Sequence, residues 1–414
     1  MSTTSARPAA ASSLRGNRRF GAFWASQMLS VFGDSFSQLA VPLLVLDLTD
    51  SVAKAGLLTG IIGTTNVLTG LFAGLIVDRV NRSRLLVGCD LARMALLAVI
   101  PVVAFTAGSP PVWLLFVLLP LASAFGMCFQ VAAVAAVRSM VSAEEVTKAN
   151  GRLFAGTALA SLVGPAAAGA ISGWVGPSGA IAVDAATFGL SAALLLLVRL
   201  PALAATDGTG EGRTRPWDEF LAGARFLLRH PVLRPLTGLL TAFILLTYGV
   251  DDVVVYHLRN GLGQPDGTIG LVLMAGAAGT VTGSLVVAAL RKRFGFGACW
   301  IGSVAVGGTA VAGLSLTGGP VDVAVLMGIY FCCMSIGGIC SMSLRQEVTP
   351  DHLLGRVTSA FWTIHFSLGG LGAAGLTWLA QRHGAPLAFA LAGVGTLAVA
   401  ATALFTPVRQ ARPK

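Results

Sequence analysis

Apolar residues run along this chain in long unbroken blocks. Stretches of about 20 residues or more recur twelve times, at approximately 20–46, 52–77, 85–106, 111–137, 150–173, 178–199, 235–257, 266–290, 296–316, 321–343, 353–379 and 385–406. Each is long enough to cross a hydrocarbon layer of ~30 Å as an α-helix. A transmembrane β-barrel would show short alternating segments between turns. Here "LLTGIIGTTNVLTGLFAGLIV" is continuously apolar and rich in small residues. The pattern predicts an all-α membrane protein.

Composition agrees. The 414 residues are 55% hydrophobic and only 11% charged, with 51 glycines and a mean hydropathy of +0.80, against roughly 25% charged residues in a soluble domain. The net charge of +10 would suit a nucleic-acid partner, but its distribution excludes that reading. Of the 28 basic residues, 25 fall in or beside the tails and loops on one side of the predicted spans, and only Lys54, Arg259 and Arg382 fall on the other. This positive-inside asymmetry places both termini in the cytoplasm of a multi-pass plasma-membrane protein. The first apolar run is about 27 residues, too long for the roughly 7–15 residue core of a signal peptide, and is read as the first span. Six cysteines without metal-ligand spacing read as small packing residues, so no disulfide, metal or cofactor is expected.

One long polar interruption divides the spans six and six. The organisation expected is a tail over 1–19, a six-helix bundle over 20–199, a central loop over 200–234, a second bundle over 235–406 and a tail over 407–414. Inside the loop, "WDEFLAGARFLLRHP" puts Phe220, Leu221, Ala224, Leu227 and Leu228 on one helical face before Pro231. It predicts an amphipathic helix, lying on the membrane surface or packed against protein. The halves echo each other: "RSMVSAEEVTKANGR" follows span 4 and "RQEVTPDHLLGR" follows span 10, with Arg138 and Arg345 207 residues apart. Coinciding with the six-plus-six division, the echo implies an internal duplication.

Between spans 2 and 3, "GLIVDRVNRSR" supplies Gly74, Asp78, Arg79, Arg82 and Arg84. A glycine, three residues, an aspartate and then basic residues at this loop resembles the signature of the major facilitator superfamily of secondary transporters. The resemblance implies twelve transmembrane helices in two six-helix bundles related by a pseudo-twofold axis, working by alternating access. It also implies that Asp78 latches the cytoplasmic side by bonding the start of helix 11 near Gly355 and Arg356, where backbone N–H groups favour an anion. Gly70 and Gly74 give helix 2 a small-xxx-small face. The second half keeps Gly283 and the Arg291–Arg293 cluster but has Val287 where Asp78 would recur. More narrowly, "SVFGDSFSQLAVPLLVLDLTDS", "VGPAAAGA", "VDAATFGLSAALLL" and "FLLRHPVLRPL" in this order resemble the branch containing macrolide-efflux and enterobactin-exporter-like proteins.

Candidate transport residues follow from charge placed in apolar spans. Asp34 lies midway along span 1, where an ionised carboxylate costs roughly 2.5–3.5 kcal/mol on insertion scales. It is the first candidate for proton coupling or cation binding, with a structural hydrogen bond and direct substrate contact as the alternatives. Asp184 in span 6, and Asp251 with its neighbour Asp252 in span 7, are further candidates. Asp90 and Arg93, three residues apart, read as a local pair near the cytoplasmic start of span 3. Gly164, Pro165 and Gly169 resemble in part the Gly-Pro motif of drug antiporters and predict a hinge in span 5. Span 4 lacks the intramembrane arginine that many proton-drug antiporters carry and has only Gln130. Trp24, Gln27, Gln130, Phe243 and Tyr248 are candidate cavity residues.

Catalysis and ATP hydrolysis are excluded by motif. No lysine follows a glycine, neither G-x-S-x-G nor H-E-x-x-H occurs, and His365 is the only histidine well inside a span. The expectation is a monomeric proton antiporter exporting a lipophilic or amphiphilic small molecule, such as a macrolide-type drug or a siderophore. Import, lipid or lysolipid carriage, and a non-transporting sensor are the alternatives.

Overall fold

Segments with no water to satisfy their backbone must close their hydrogen bonds internally. In the computed structural model, which describes residues 17–140, 145–197, 216–350 and 353–410, every regular element is a helix. In chain order these are α1 (Arg18–Thr49), α2 (Val52–Arg79), α3 (Arg82–Ala107), α4 (Val112–Met140), α5 (Val146–Leu196), α6 (Pro216–Arg229), α7 (Leu233–Thr247), α8 (Val250–Tyr256), α9 (Asp266–Gly313), α10 (Pro320–Val348), α11 (Leu354–Phe366), α12 (Gly369–His383) and α13 (Ala385–Ala403). Asparagines set two starts: Asn17 accepts from the amides of Arg19 and Phe20, and Asn81 from those of Ser83 and Arg84.

Two of the long helices fold back at a glycine. Gly176 (φ +75°) breaks α5 and Gly295 (φ +79°) breaks α9, in a region of backbone space that other residues rarely enter. The folding back is visible in the neighbours. Gly164 and Asp184, on opposite sides of the α5 break, both lie against residues 33–37 of α1. Gly283 and Gly307 flank the α9 break in the same way and both lie against α10 near Cys332 and Cys333.

Two other predicted spans are not continuous. Span 7 is interrupted at Tyr248–Gly249 between α7 and α8 and ends in a π-turn, His257–Gly261. Span 11 is interrupted at Ser367–Leu368 between α11 and α12. The interruptions face each other: the rings of Tyr248 and Phe366 are 5.9 Å apart, Gly372 backs onto the Leu245 carbonyl and Gly249 onto Ala373. Backbone contact this close requires both helices to yield at one level, which apolar periodicity does not encode. Nine segments among the described residues are long and apolar enough to cross a membrane. Counting the two that fold back, and the α11–α12 pair, twelve crossings result.

The first bundle packs α1 and α3 on α5, and α2 and α3 on α4. The second packs α10 and α13 on α9, and α12 and α13 on α7. Between bundles the main contacts are α2 with α12 and α5 with α9. They concentrate toward the face opposite the termini, here the far face. There Gly60 meets Gly370, Gly169 meets Gly270, and the Gln381 side chain accepts from the Val52 amide at 2.8 Å. The α6 helix packs against α11, with Gly223 under the Arg356 carbonyl and Ala224 and Leu227 buried, while Leu221 and Leu228 stay exposed. Of the two placements open to this helix, its inner face takes the one against protein.

Candidate coupling and substrate sites

On α1, Ser26, Ser30, Asp34 and Ser37 recur every three to four residues and form one polar stripe down an otherwise apolar helix. The stripe faces α3 and the second half of α5. Asp34 is ion-paired with Arg93 of α3. Arg93 also reaches the Ser30 hydroxyl at 3.4 Å and lies over the Phe188 ring, 3.7 Å from its centroid. Ser37 donates to Asp184. Ser191 donates to Asp90 at 2.5 Å and to the Ser26 carbonyl at 3.3 Å. Three carboxyl groups and one guanidinium therefore gather along this stripe among α1, α3 and α5, in one ion pair and two hydrogen-bonded sets. Asp90 and Asp184 are fully buried, and each has one oxygen, Oδ1, without a hydrogen-bond partner.

Arg93 corrects one expectation. It does not pair with Asp90 three residues away but with Asp34 on another helix. The reason is depth: α3 begins at Arg82, so Arg93 lies about 16 Å along it at 1.5 Å per residue. At that level a charge needs a compensating partner, and Asp34 and the Phe188 face provide one. An arginine at this depth is thus carried by α3. The sequence signal for it was Asp34, the one charge in the α1 stripe, for which a cation on a neighbouring helix is one form of compensation.

The remaining candidates are spread over the molecule. Asp251 and Asp252 open α8. Asp252 is buried and accepts from Thr59 of α2 at 3.2 Å, joining the two bundles, whereas Asp251 is exposed. The α5 helix keeps helical angles through Gly164 and Pro165 and departs from them only at Gly176. Gly169 lies at the crossing with α9, where an added methyl would stand 2.5 Å from the Asp266 carbonyl oxygen. Arg82 and Arg84 lie in the first turn of α3, and Gly355 and Arg356 in that of α11. Gly74, Asp78 and Arg79 end α2, but their side chains lie outside the described residues, and the expected Asp78 latch lies outside them too.

Two cavities bear on substrate. One of about 470 Å³ opens between α1 and α5 toward the terminal face, lined by Phe20, Trp24, Met28, Arg152 and Leu159 among others. Its volume falls in the range of small-molecule sites, roughly 300–1,000 Å³. Trp24 lines it and donates through its indole to the Arg152 carbonyl at 2.9 Å. A smaller cavity lies inside the second bundle and includes Phe243. Gln27 of α1 has a buried, unpartnered Nε2, Gln130 is exposed, and Tyr248 sits at the bundle interface against Gly63 and Gly369. Among the described residues no cluster of three or more His, Cys, Asp or Glu could hold a metal ion.

Known proteins resemble this one along nearly its whole length. The family model described as Major Facilitator Superfamily matches residues 23–374. The multidrug efflux pump Tap of Mycobacterium tuberculosis is 28% identical over 395 residues, covering 90% of each chain. Macrolide efflux protein A of Streptococcus pyogenes is 24% identical over 404 residues, covering 92% of this chain and 94% of its own. Among solved structures, the nucleoside transporter NupG superposes with a TM-score of 0.76 at 11% identity, over 94% of this chain and 98% of that one. At that identity the likeness concerns the fold alone.

Proposed function

Because the chain belongs to the Major Facilitator Superfamily, a family of membrane transporters, we propose that it exports an amphiphilic or lipophilic small molecule from the cytoplasm in exchange for protons. The observation that carries the proposal is the imbalance of the α1–α3–α5 network, with Asp34, Asp90 and Asp184 against Arg93 alone. One guanidinium neutralises one carboxylate. Keeping the others ionised in a site shielded from water costs several kcal/mol each, so the network binds protons, and it gives them up when water reaches it. The unpartnered Oδ1 atoms of Asp90 and Asp184 are where such protons reside.

The direction of transport is supported by the two efflux relatives and by the cavity at the terminal face. With that face cytoplasmic, bundles joined at the far face and a pocket between α1 and α5 describe a transporter closed outside and open to the inner leaflet. Trp24, Phe20 and Met28 suit an apolar body, and the rim at Arg152 suits a polar one. Substrate entry there, release of a proton from the network and opening of the far face would complete one cycle of alternating access.

The test uses purified protein in proteoliposomes with an imposed pH gradient. Internal pH is recorded while macrolides, other lipophilic drugs and siderophores are added, comparing wild type with Asp34→Asn and Asp184→Asn. Substrate-dependent proton movement lost in the variants, with drug binding retained, is expected. Substrate movement without proton flux would remove the coupling, and no movement of any compound would remove the exporter reading.

A further inference from the structure

The smaller cavity, about 80 Å³, is enclosed by α7, the second half of α9, α10 and α11. Its wall is apolar over Leu240, Phe243, Ile244, Val304 and Met334. Of the polar side chains in that wall, Trp300, Ser303, Tyr330 and His365, two carry a buried atom without a partner, Trp300 Nε1 and His365 Nδ1. The side chains belong to residues only 0% and 7% exposed. A tryptophan N–H can only donate. Nδ1 of His365 has no partner, and in the neutral imidazole protonated at Nε2 it is an acceptor. The cavity therefore offers one donor and one acceptor within an apolar wall, a combination complementary to a hydroxyl group.

Its surroundings select further. Arg345 of α10 is buried, bonds the Ser341 hydroxyl at 2.9 Å and lies over the Phe361 ring, 3.4 Å from its centroid. Phe361 in turn stacks on His365, with ring centroids 5.2 Å apart. A cation behind His365 disfavours an ammonium group in the cavity. Size disfavours a whole drug, since the room equals about two or three water molecules at ~30 Å³ each. Glycines keep it open: a methyl on Gly337 would lie 3.0 Å from the Ser303 hydroxyl. The way in passes Gly338, which is exposed, and the half-buried Cys333 and Met334.

We propose that this cavity is a subsite of the transport pathway that takes a compact, uncharged, hydroxyl-bearing arm of the exported molecule. Its hydroxyl accepts from Trp300 Nε1 and donates to His365 Nδ1. The proposal rests on the exporter reading and adds the chemical feature by which a substrate is recognised in the second bundle. It assigns specificity to α9, α10 and α11, leaving the proton network in the first bundle.

The test uses full-length protein in proteoliposomes with erythromycin, tetracycline and chloramphenicol, each of which carries hydroxyl groups. For whichever compounds the wild type transports, Trp300→Phe and His365→Leu are expected to raise KM about tenfold with the maximal rate within about twofold. His365→Gln, which keeps an acceptor, is expected to recover part of the loss. In unmodified protein the same compounds are expected to slow alkylation of Cys333 by N-ethylmaleimide at least about fivefold, read by peptide mass spectrometry. That arm stands even if a variant fails to fold. Transport with unchanged KM in the variants and an unprotected Cys333 would overturn the subsite, leaving a water-filled cavity and an intact exporter. Transport of none of the three would overturn the subsite together with the reading beneath it.

Discussion

Arg259, in the π-turn that follows α8, reaches across the far face to Asp47 of α1 at 2.6 Å. Its other nitrogen holds Asp266 of α9 at 3.0 Å, and Asp266 also accepts from Ser172 of α5 at 2.7 Å. One side chain thus ties the two bundles where α5 and α9 converge. Both the guanidinium and the Asp47 carboxylate are partly exposed, so the tie contributes at most about 1 kcal/mol. That is little for stability, yet it is roughly fivefold in a two-state population. Arg259→Gln is expected to broaden the distance distribution between spin labels at positions 54 and 382, one on each bundle, with thermal stability almost unchanged. An unaltered distribution would remove the tie from the closing mechanism.

The glycine crossing on the same side makes a steric prediction. A methyl at Gly60 would lie 2.7 Å from the Gly370 carbonyl oxygen, with backbone on both sides, whereas Gly88 of α3 has nothing within 4 Å of that position. Gly60→Ala is expected to lower stability by roughly 1–3 kcal/mol through overpacking and to disfavour far-face closure. Gly88→Ala in the same helical context is expected to be neutral or to stabilise by about 0.5–1 kcal/mol. Equal melting temperatures for the two variants would contradict the close approach.

These features differ in how far the sequence disclosed them. Helix number and the breaks near Gly176 and Gly295 follow from apolar run length and glycine placement, which are local properties. The Asp34 site was legible as a charge in a span that has to be compensated. Its partner was not, because Asp90 sits three residues from Arg93 and satisfies the same local spacing. Only helix depth and the packing of α1 and α3 on α5 distinguish them. The interruptions at Tyr248 and Ser367 stayed hidden for a related reason: each exists because the other helix presses on it, and pairwise contact leaves no periodicity. The Trp300–His365 cavity was beyond reach, since it consists of what four helices fail to fill.

His230, in the bend between α6 and α7 and outside the spans, gives a pH prediction. Its Nδ1 accepts from the amides of Val232 and Leu233 at 3.2 Å each, capping the start of α7, and burial pushes the imidazole below its ordinary value of 6.5. A histidine with a lowered folded value binds fewer protons folded than unfolded. The cap is therefore intact above about pH 6.5 and is progressively lost as pH falls below it. Hydrogen exchange at Val232 and Leu233, corrected for intrinsic rate, is expected to accelerate on acidification in wild type. In His230→Ala it is expected to be fast throughout. Protection independent of pH in wild type would contradict this.

The pair at the centre of the site offers the sharpest energetic test. Removing Arg93 leaves the Asp34 carboxylate, itself 35% exposed, without its counter-ion, and Phe188 without the guanidinium stacked on it. Breaking a fully buried pair by deleting one partner costs roughly 3–5 kcal/mol, an upper bound for this partly exposed one, whereas replacing both can be nearly neutral. Arg93→Leu alone is expected to lower the melting temperature steeply or to prevent purification, and Asp34→Asn alone to do so less, because Arg93 keeps Ser30 and the ring face. The double variant is expected to recover most of the stability without recovering proton-coupled transport. That separation distinguishes a coupling pair from a structural one. If the double variant regained stability and coupled transport together, Asp34 and Arg93 would be structural, and Asp90 with Asp184 would be left as the proton carriers.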